Sequence, residues 1–279
     1  MEKYNFWSDM ALDHLENYKM ESVASHKKLP YGVVESVVNL KNKILADRVG
    51  KPQGVYVTYD TSGADSPAYA EHLSKVMSSV LRQLIGGLTH KSVVLAVGLG
   101  NGQVLADSLG LRVMSKINPT RGGNIDSKFN LCCHSLGVQG ATGIKSREVL
   151  GALVDKLNPS AIIVVDSLAT VSARRLGTSF QVSTAGIVPG GGIGMGRAPI
   201  NKQVFGVPTV SIGVPMVLTM QGVIGEVAKA LDVTDKHRVY GVVCDMDLNG
   251  LIVAPKEVKI FIENASNIIA EAINLAYSK

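Results

Sequence analysis

The chain alternates short apolar runs with segments of helical spacing, and this alternation limits the folds that it can adopt. Five runs have the length and β-branched content of buried strands: 54–60, 92–98, 129–135, 161–167 and 208–215. Segments such as "AEHLSKVMSSVLRQLIGG" and "SREVLGALVDKLN" lie between them and predict helices, the second with Ser146 as its N-cap. The runs are apolar on both faces, which is typical of strands covered by helices on both sides. We therefore predict an α/β fold: a single three-layer domain with a mostly parallel sheet flanked by helices, closed by a long C-terminal helix.

Composition and charge exclude several classes of protein. With 279 residues, of which 46% are hydrophobic, the chain can bury a large core. No stretch approaches the roughly 18 uncharged apolar residues of a membrane span, and the N-terminus lacks the apolar stretch of a signal peptide. We therefore expect a cytoplasmic protein with no membrane partner. The net charge of +5 is too small and too scattered to predict direct binding of nucleic acid, and the three cysteines predict reduced thiols.

The stretch "VGLGNGQVLADSLG" (97–110) places glycines in the turn after a predicted strand, where a nucleotide could bind. A dinucleotide site needs the pattern G-x-G-x-x-G and an acidic residue roughly 20 positions later. Here Gln103 occupies the third glycine position, and the next strand ends in Cys132, Cys133 and His134. The loop "GGIGMGRA" likewise lacks the lysine and hydroxyl of a phosphate-binding loop. Both nucleotide interpretations are therefore disfavoured.

The histidines and cysteines do not form a convincing metal or nucleophile site. Consecutive strand residues point to opposite faces, so "CCH" at 132–134 is interpreted as core packing and not as a set of metal ligands. The remaining histidines lie in segments that we interpret as surface helix or connector: positions 14, 26, 72, 90 and 237. None of them follows a strand beside a nucleophile.

Two aspartates remain as candidates for chemistry. Asp107 lies in the turn after "VVLAVGLGN", and Asp166 ends the run "IIVVD". Ligands of open α/β sheets bind beyond the carboxyl ends of the strands, so we expect both carboxylates at that edge. A close pair of carboxylates can activate water, one as base and the other as acid. The alternative is that Asp166 only caps a following helix.

A long irregular segment is expected at 184–199, "TAGIVPGGGIGMGRAP", which we call the glycine-rich loop. It contains six glycines and two prolines, too many for a regular element. Long loops after strands gather at the carboxyl edge of the sheet and are often functional. We predict that this loop is mobile and borders the substrate groove, the alternative being a connector or a subunit contact.

Several stretches together resemble one known family. They are "SDMALD", "GKPQGVYVTYD", "VGLGNGQVLADSLG", "GATGIKSREVLGALVDKLNPSAIIVVDSLATVSARRLGTSFQVSTAGIVPGGGIG", "FGVPTVSIGVPMVL" and "LIVAPKEVKIFIENASNIIAEAINLA". In this order they resemble the spore germination proteases, endopeptidases that degrade small acid-soluble spore proteins. The resemblance implies one α/β domain over residues 1–279, related to the hydrogenase maturation proteases, and a homotetramer in the cytoplasm of the spore core.

The resemblance also implies roles for individual residues. The family's proposed catalytic carboxylates fall on Asp107, in "DSLG", and on Asp166, in "DSLA". They belong to a protease of neither the serine nor the cysteine type, and we expect no cofactor and no metal ligand in this chain. Because amides of the turn at 98–102 can stabilise an oxyanion, and an arginine can contact acidic residues beside the cut, we predict further substrate contacts. These are Gly100, Asn101, Gly190, Gly192 and Arg197.

The family is made as an inactive precursor, which implies an N-terminal extension at 1–50 with a short propeptide removed near "SDMALD". Two other functions stay open. One is a hydrogenase-maturation-type protease, whose carboxylates bind nickel in the substrate protein. The other is a catalytically silent binding protein of the spore.

Overall fold

A computed structural model describes residues 7–123, 127–194, 198–233 and 250–278, together with 235, 239, 241–243, 246 and 248. These residues build one nine-stranded sheet with helices on both faces. Its strands are β1 Ala24–Lys28, β2 Val34–Asn39, β3 Val55–Asp60, β4 Val93–Gly98, β5 Asn130–Ser135, β6 Ala161–Thr170, β7 Ser179–Ser183, β8 Thr209–Thr219 and β9 Ile252–Val253. The helices are α1 Ala11–Asn17, α2 Lys43–Val49, α3 Tyr69–Ile85, α4 Leu109–Met114, α5 Gln139–Thr142, α6 Ser146–Leu157, α7 Lys202–Phe205, α8 Met220–Ala230 and α9 Val258–Tyr277.

The strand order is β1-β2-β3-β7-β8-β6-β4-β5, with β9 paired to the far end of β8. Strands β8, β6, β4 and β5 pair in parallel, as the βαβ rhythm predicts. The pairs β1–β2, β2–β3, β3–β7, β7–β8 and β8–β9 are antiparallel. The prediction of a mostly parallel sheet is therefore not confirmed, because the sheet is mixed.

All five predicted strands are present, but β1, β2, β7 and β9 were missed. Strand β1, "ASHKK", is mostly exposed and polar, so it carries no apolar pattern. Strands β1 and β2 extend the sheet beyond β3, so residues 24–39 belong to the sheet. The region expected as an N-terminal extension thus contributes two strands to the fold.

The core lies on both faces of the central strands β6 and β8, whose residues are almost all buried. On one face, α3, α4 and α9 pack through residues such as Leu73, Val113 and Ile269. On the other face, α6 packs through Leu150. Helices α1 and α2 cover a third cluster on β2 and β3. The continuous apolar runs of the sequence are explained by this burial on both sides.

Helix α6 has the predicted bounds but a different N-terminus. Ser146 is its first helical residue, and its hydroxyl donates to the carbonyl of Gly137 (2.7 Å). The N-cap position is taken by Lys145, whose amide donates to the Glu148 carboxylate (3.2 Å). The Ser146 cap prediction was wrong by one residue, because the hydroxyl is bonded to the preceding loop.

Among the described residues, no helix has the length and apolarity needed to cross a bilayer.

Candidate active site

A cavity of about 240 Å³ lies beside the end of β4. It is next to the part of β6 that continues beyond the last residue of β4. Asp107 and Asp166 both line this cavity. Gly100 and Gly190, predicted to contact substrate, line it as well. The fold thus brings together four predicted site residues from three separate segments of the chain. We call this space the catalytic cavity, after the two candidate catalytic aspartates that line it.

Asp166 lies inside β6 and not at its end. Gly98, the last residue of β4, is level with Val165, so Asp166 is the first residue of β6 beyond its neighbour. Its side chain is almost fully buried, at 6% exposure, and Oδ1 accepts a hydrogen bond from the amide of Ser167 (2.8 Å). Since β6 continues to Thr170, the interpretation of Asp166 as a helix cap is wrong. Because β4 ends level with Val165, β6 has no β4 neighbour at Asp166, and the edge of the sheet is open beside this carboxylate.

Asp107 is held by the glycine-containing turn that precedes α4. The amide of Asn101 donates to Asp107 Oδ2 (2.9 Å) and also lies 3.0 Å from the Asp107 carbonyl oxygen. Gly100 has a φ of +130°, and a Cβ there would lie 1.9 Å from that carbonyl oxygen. Only glycine fits this position, since both the dihedral and the space exclude a side chain. The turn therefore fixes the aspartate backbone as well as its carboxylate.

The other glycines of this motif serve close packing between backbones. A Cβ on Gly110 would lie 2.4 Å from the Leu99 carbonyl oxygen and 2.5 Å from that of Val165. A Cβ on Gly98 would lie 2.1 Å from the Gly110 carbonyl oxygen. The first turn of α4 therefore rests directly on the end of β4 and on the middle of β6. The stretch that resembles a nucleotide-binding turn is explained by this approach, which places Asp107 at the cavity that Asp166 also lines.

Predicted substrate contacts fall in different places. The amides of Leu99 and Asn101 are already hydrogen-bonded within the protein, to Val165 and Asp107 respectively. Gly192 lies against the carboxylate of Asp9, where a Cβ would come within 2.2 Å of Oδ2. Arg197 lies outside the described residues. Among the substrate contacts predicted in the turn at 98–102, Gly100 lines the cavity directly.

Sequence reasoning missed a third carboxylate at this site. Asp9 lines the catalytic cavity, and its Oδ2 accepts a hydrogen bond from the amide of Ala169, in the same strand as Asp166 (2.8 Å). The residue belongs to "SDMALD", a stretch that resembles the family and marks the expected processing site but was not predicted to contribute a site residue. Distance along the chain concealed it, because no local pattern links residue 9 to residue 166.

A charged group accompanies Asp9. Lys51 Nζ donates to the carbonyl oxygen of Asp9 (2.9 Å), and both residues line a second cavity of about 260 Å³. Burial raises the pKa of Asp9, although the Lys51 charge and the amides of Ala169 and Gly192 act in the opposite direction. Burial lowers the pKa of Lys51, against the pull of the nearby carboxylates. Desolvation is therefore the dominant electrostatic influence on this part of the molecule.

His14 differs from the expectation of a surface histidine. It is only 6% exposed, and its ring nitrogens lie 3.0 Å from the carbonyl oxygens of Val49 and Ser8. Burial and the charge of Lys51 lower its pKa to about 4, although both carbonyls favour the protonated ring. His26 and His90 are exposed as expected, His72 is half-buried, and position 237 lies outside the described residues. The N-terminal helix is thus a core element, which its sequence did not reveal.

The two cysteines of "CCH" pack against the core as predicted, but His134 does not. Cys132 contacts the cluster beneath α6, and Cys133 contacts the one on the opposite face of the sheet. Burial raises the pKa of both thiols, and the following His134 is exposed. Within the described ranges, no group of three histidine, cysteine or acidic side chains is placed to hold a metal ion.

The chain is similar to known proteins over nearly its whole length. The family model described as germination protease matches residues 8–226, which include Asp9, Asp107 and Asp166. The germination protease of Caldanaerobacter subterraneus subsp. tengcongensis is 33% identical over 96% of this chain and 93% of its own length. That of Clostridium perfringens is 31% identical over 98% and 95%, and that of Halalkalibacterium halodurans is 26% identical over 99% and 94%. The chain therefore belongs to the germination protease family and is an endopeptidase.

Proposed function

We propose that this endopeptidase cleaves small acid-soluble spore proteins and uses Asp107 and Asp166 to activate water. One observation carries the proposal: the two carboxylates line the same cavity at the point where β4 ends and β6 continues. The family membership supports the class of reaction and of substrate. The cavity supplies a place where a peptide bond and a water molecule can meet both aspartates.

The proposed reaction needs one carboxylate in each protonation state. The ionised aspartate takes a proton from water while the water oxygen attacks the carbonyl carbon of the peptide bond. The protonated aspartate then gives its proton to the amide nitrogen as the carbon–nitrogen bond breaks. A carboxylic acid and an amine are released, and the two aspartates have exchanged protonation states. Proton exchange with solvent restores the starting form.

Substrate contacts are proposed on the two glycine-containing loops. In the turn before α4, Gly100 is the position from which a backbone amide can stabilise the oxyanion, because the amides of Leu99 and Asn101 donate within the protein. Asn101 then acts by positioning Asp107. Gly190 lines the cavity from the glycine-rich loop, and we propose Arg197 as the contact for acidic residues that flank the cut.

Assembly and location are proposed on the family resemblance. We propose a single germination-protease-like domain that forms a homotetramer in the spore core, with a chain fold related to the hydrogenase maturation proteases. The continuous sheet from β1 to β5 supports the single domain. Light scattering on the purified protein would measure the number of subunits, and a monomer at working concentration would contradict the tetramer.

Mapping of cleavage products tests the function. The purified protein is incubated with a small acid-soluble spore protein, and the fragments are identified by mass. We expect discrete internal cuts by the wild type and none by Asp107→Asn or Asp166→Asn. Asp155→Asn, at an exposed position of α6, is the matched control and should cut normally. An absence of cuts by the folded wild type would favour a silent binding protein, and normal cleavage by either active-site variant would remove that aspartate from the mechanism.

A further inference from the structure

We propose that Asp9 is a positioning residue that fastens the glycine-rich loop to the strand carrying Asp166 and so sets one wall of the catalytic cavity. The inference rests on the proposed function, because that proposal is what gives the cavity its catalytic role. It adds a third aspartate to the site, with a role distinct from that of the two proposed catalytic carboxylates.

The first part of the argument is the joint between Asp9 and β6. The amide of Asp9 donates to the carbonyl oxygen of Ala169 (3.0 Å), and Asp9 Oδ2 accepts from the amide of the same residue (2.8 Å). Asp9 therefore pairs with both backbone groups of Ala169, on the edge of β6 that has no partner strand beyond the end of β4. Ala169 lies three positions after Asp166 in the same strand. The aspartate is thus fixed to the strand that carries a proposed catalytic residue.

The second part is the joint between Asp9 and the glycine-rich loop. Gly192 packs against the Asp9 carboxylate, and its amide lies near enough to act on the pKa of that group. A Cβ at Gly192 would lie 2.2 Å from Asp9 Oδ2 and 2.9 Å from the Ala169 Cβ, so the loop approaches both groups as closely as glycine allows. Gly194 makes a similar approach to the ring of Trp7, where a Cβ would lie 2.6 Å from Cζ2. The loop and the N-terminal segment are therefore fitted to each other.

The third part is a rigid base for Asp9. The neighbouring Ser8 hydroxyl donates to Asp13 Oδ2 (2.6 Å), which also accepts from the Thr170 hydroxyl (2.7 Å). Asp13 is fully buried and forms an ion pair with Arg175. Lys51 Nζ donates a hydrogen bond to the carbonyl oxygen of Asp9. The N-terminal segment around Asp9 is held by several hydrogen bonds and an ion pair. It can therefore hold the adjacent glycine-rich loop in one position.

The consequence concerns the shape of the catalytic cavity. Pro189, Gly190 and Ile193 of the glycine-rich loop line it, and they flank Gly192, which packs against the Asp9 carboxylate. A glycine-rich segment loses more conformational entropy on ordering than other sequences, so its position depends on such contacts. Loss of the contact between Asp9 and Gly192 would therefore allow this wall of the cavity to adopt more positions.

The first test removes the carboxylate. In Asp9→Ala, we expect the amides of residues 190–194 to exchange hydrogen at least tenfold faster than in the wild type, measured without substrate. We expect kcat/KM on a small acid-soluble spore protein to fall at least tenfold, mainly through KM, because the loop must be ordered when substrate binds. Asp155→Ala, at an exposed position, is the matched control and should change neither measurement. Unchanged exchange in the loop, or equally faster exchange throughout the sheet, would overturn the proposal.

A second test approaches the same contact from the loop. Gly192→Ala places a methyl group against the Asp9 carboxylate and should also raise KM and loop exchange, without altering the N-terminal segment. In the double variant, the Asp9→Ala change makes room for the methyl group, so the combined loss should be smaller than the product of the two single losses. Fully multiplicative losses would overturn the proposed contact. Because loop exchange is read without substrate, it tests Asp9 even if Asp166→Asn retains activity and the proposed function fails.

Discussion

Asp13 and Asp166 are buried aspartates and Asp107 is half-buried, but Asp13 differs from the other two in its surroundings. Asp13 is fully buried against Arg175, and its Oδ2 accepts hydrogen bonds from Ser8, Thr170 and the amide of Val171. Asp107 and Asp166 instead line a cavity that is large enough for water and a peptide group. The comparison teaches that burial alone does not distinguish a structural carboxylate from a candidate for catalysis, and that a candidate must also reach a cavity.

The two groups should also differ in what their loss changes. A buried carboxylate paired with arginine supports the fold, since its removal leaves a buried cation with fewer partners. A carboxylate that faces a cavity can change its protonation state at little cost to the surrounding structure. The following variants test this difference between fold and activity.

The largest effect is expected for the proposed catalytic pair. Asp107→Asn and Asp166→Asn should each lower kcat by about 10²–10⁴-fold, the range typical of lost acid–base catalysis, with little change in the unfolding midpoint. The double variant should lose little more than either single one, because the two groups act as a unit. Steady-state kinetics together with urea unfolding would measure both properties. Strictly multiplicative losses in the double variant would argue for independent roles.

Asp13→Asn should show the opposite behaviour. We expect a loss of roughly 3–5 kcal/mol in the free energy of unfolding, since one partner of a buried ion pair is removed. Glu16, which also pairs with Arg175, keeps part of the cation's environment. Urea unfolding would measure the loss, and kcat of the folded fraction should stay near the wild-type value. A stability loss under about 1 kcal/mol would place Asp13 with the surface carboxylates.

His14 makes the stability of the same anchor depend on pH. Its pKa is about 4 in the folded protein, against an ordinary value of 6.5, so the unfolded chain binds this proton first as the pH falls. Stability should therefore be unaffected by His14 above pH 6.5 and should decrease between pH 6.5 and 4, by on the order of 3 kcal/mol. In His14→Gln, the slope of unfolding free energy against pH should become flatter over this window. An identical slope in the two proteins would contradict the lowered pKa.

The smallest effect is expected at the contact between α4 and the sheet. Gly110→Ala should destabilise the protein by about 1–3 kcal/mol, because the added methyl group meets two backbone carbonyls. It should also lower kcat, since the same contact positions Asp107. Gly151→Ala is the matched control: this glycine is inside α6 with open space around it, so alanine should stabilise by up to about 1 kcal/mol. Equal effects at the two glycines, measured by thermal unfolding, would contradict the close approach.

The sequence by itself determined the elements at the centre of the molecule. Strands β4, β6 and β8 are continuous apolar runs, and their burial on both faces follows from that composition. It also indicated Asp107 and Asp166, because each follows such a run and matches a family motif. These features are local, so a short window of residues is enough to find them.

Only the tertiary structure decided the rest of the sheet and the surroundings of the site. The antiparallel strands β1, β2 and β7 carry weak or polar patterns, and their pairing is chosen by neighbours far along the chain. Asp9 reaches the catalytic cavity through hydrogen bonds to Ala169, 160 positions away. His14 is buried for the same reason, because α1 packs on β2 and β3. Contacts between distant segments follow from the packing of the whole chain, and no periodicity within one segment encodes them.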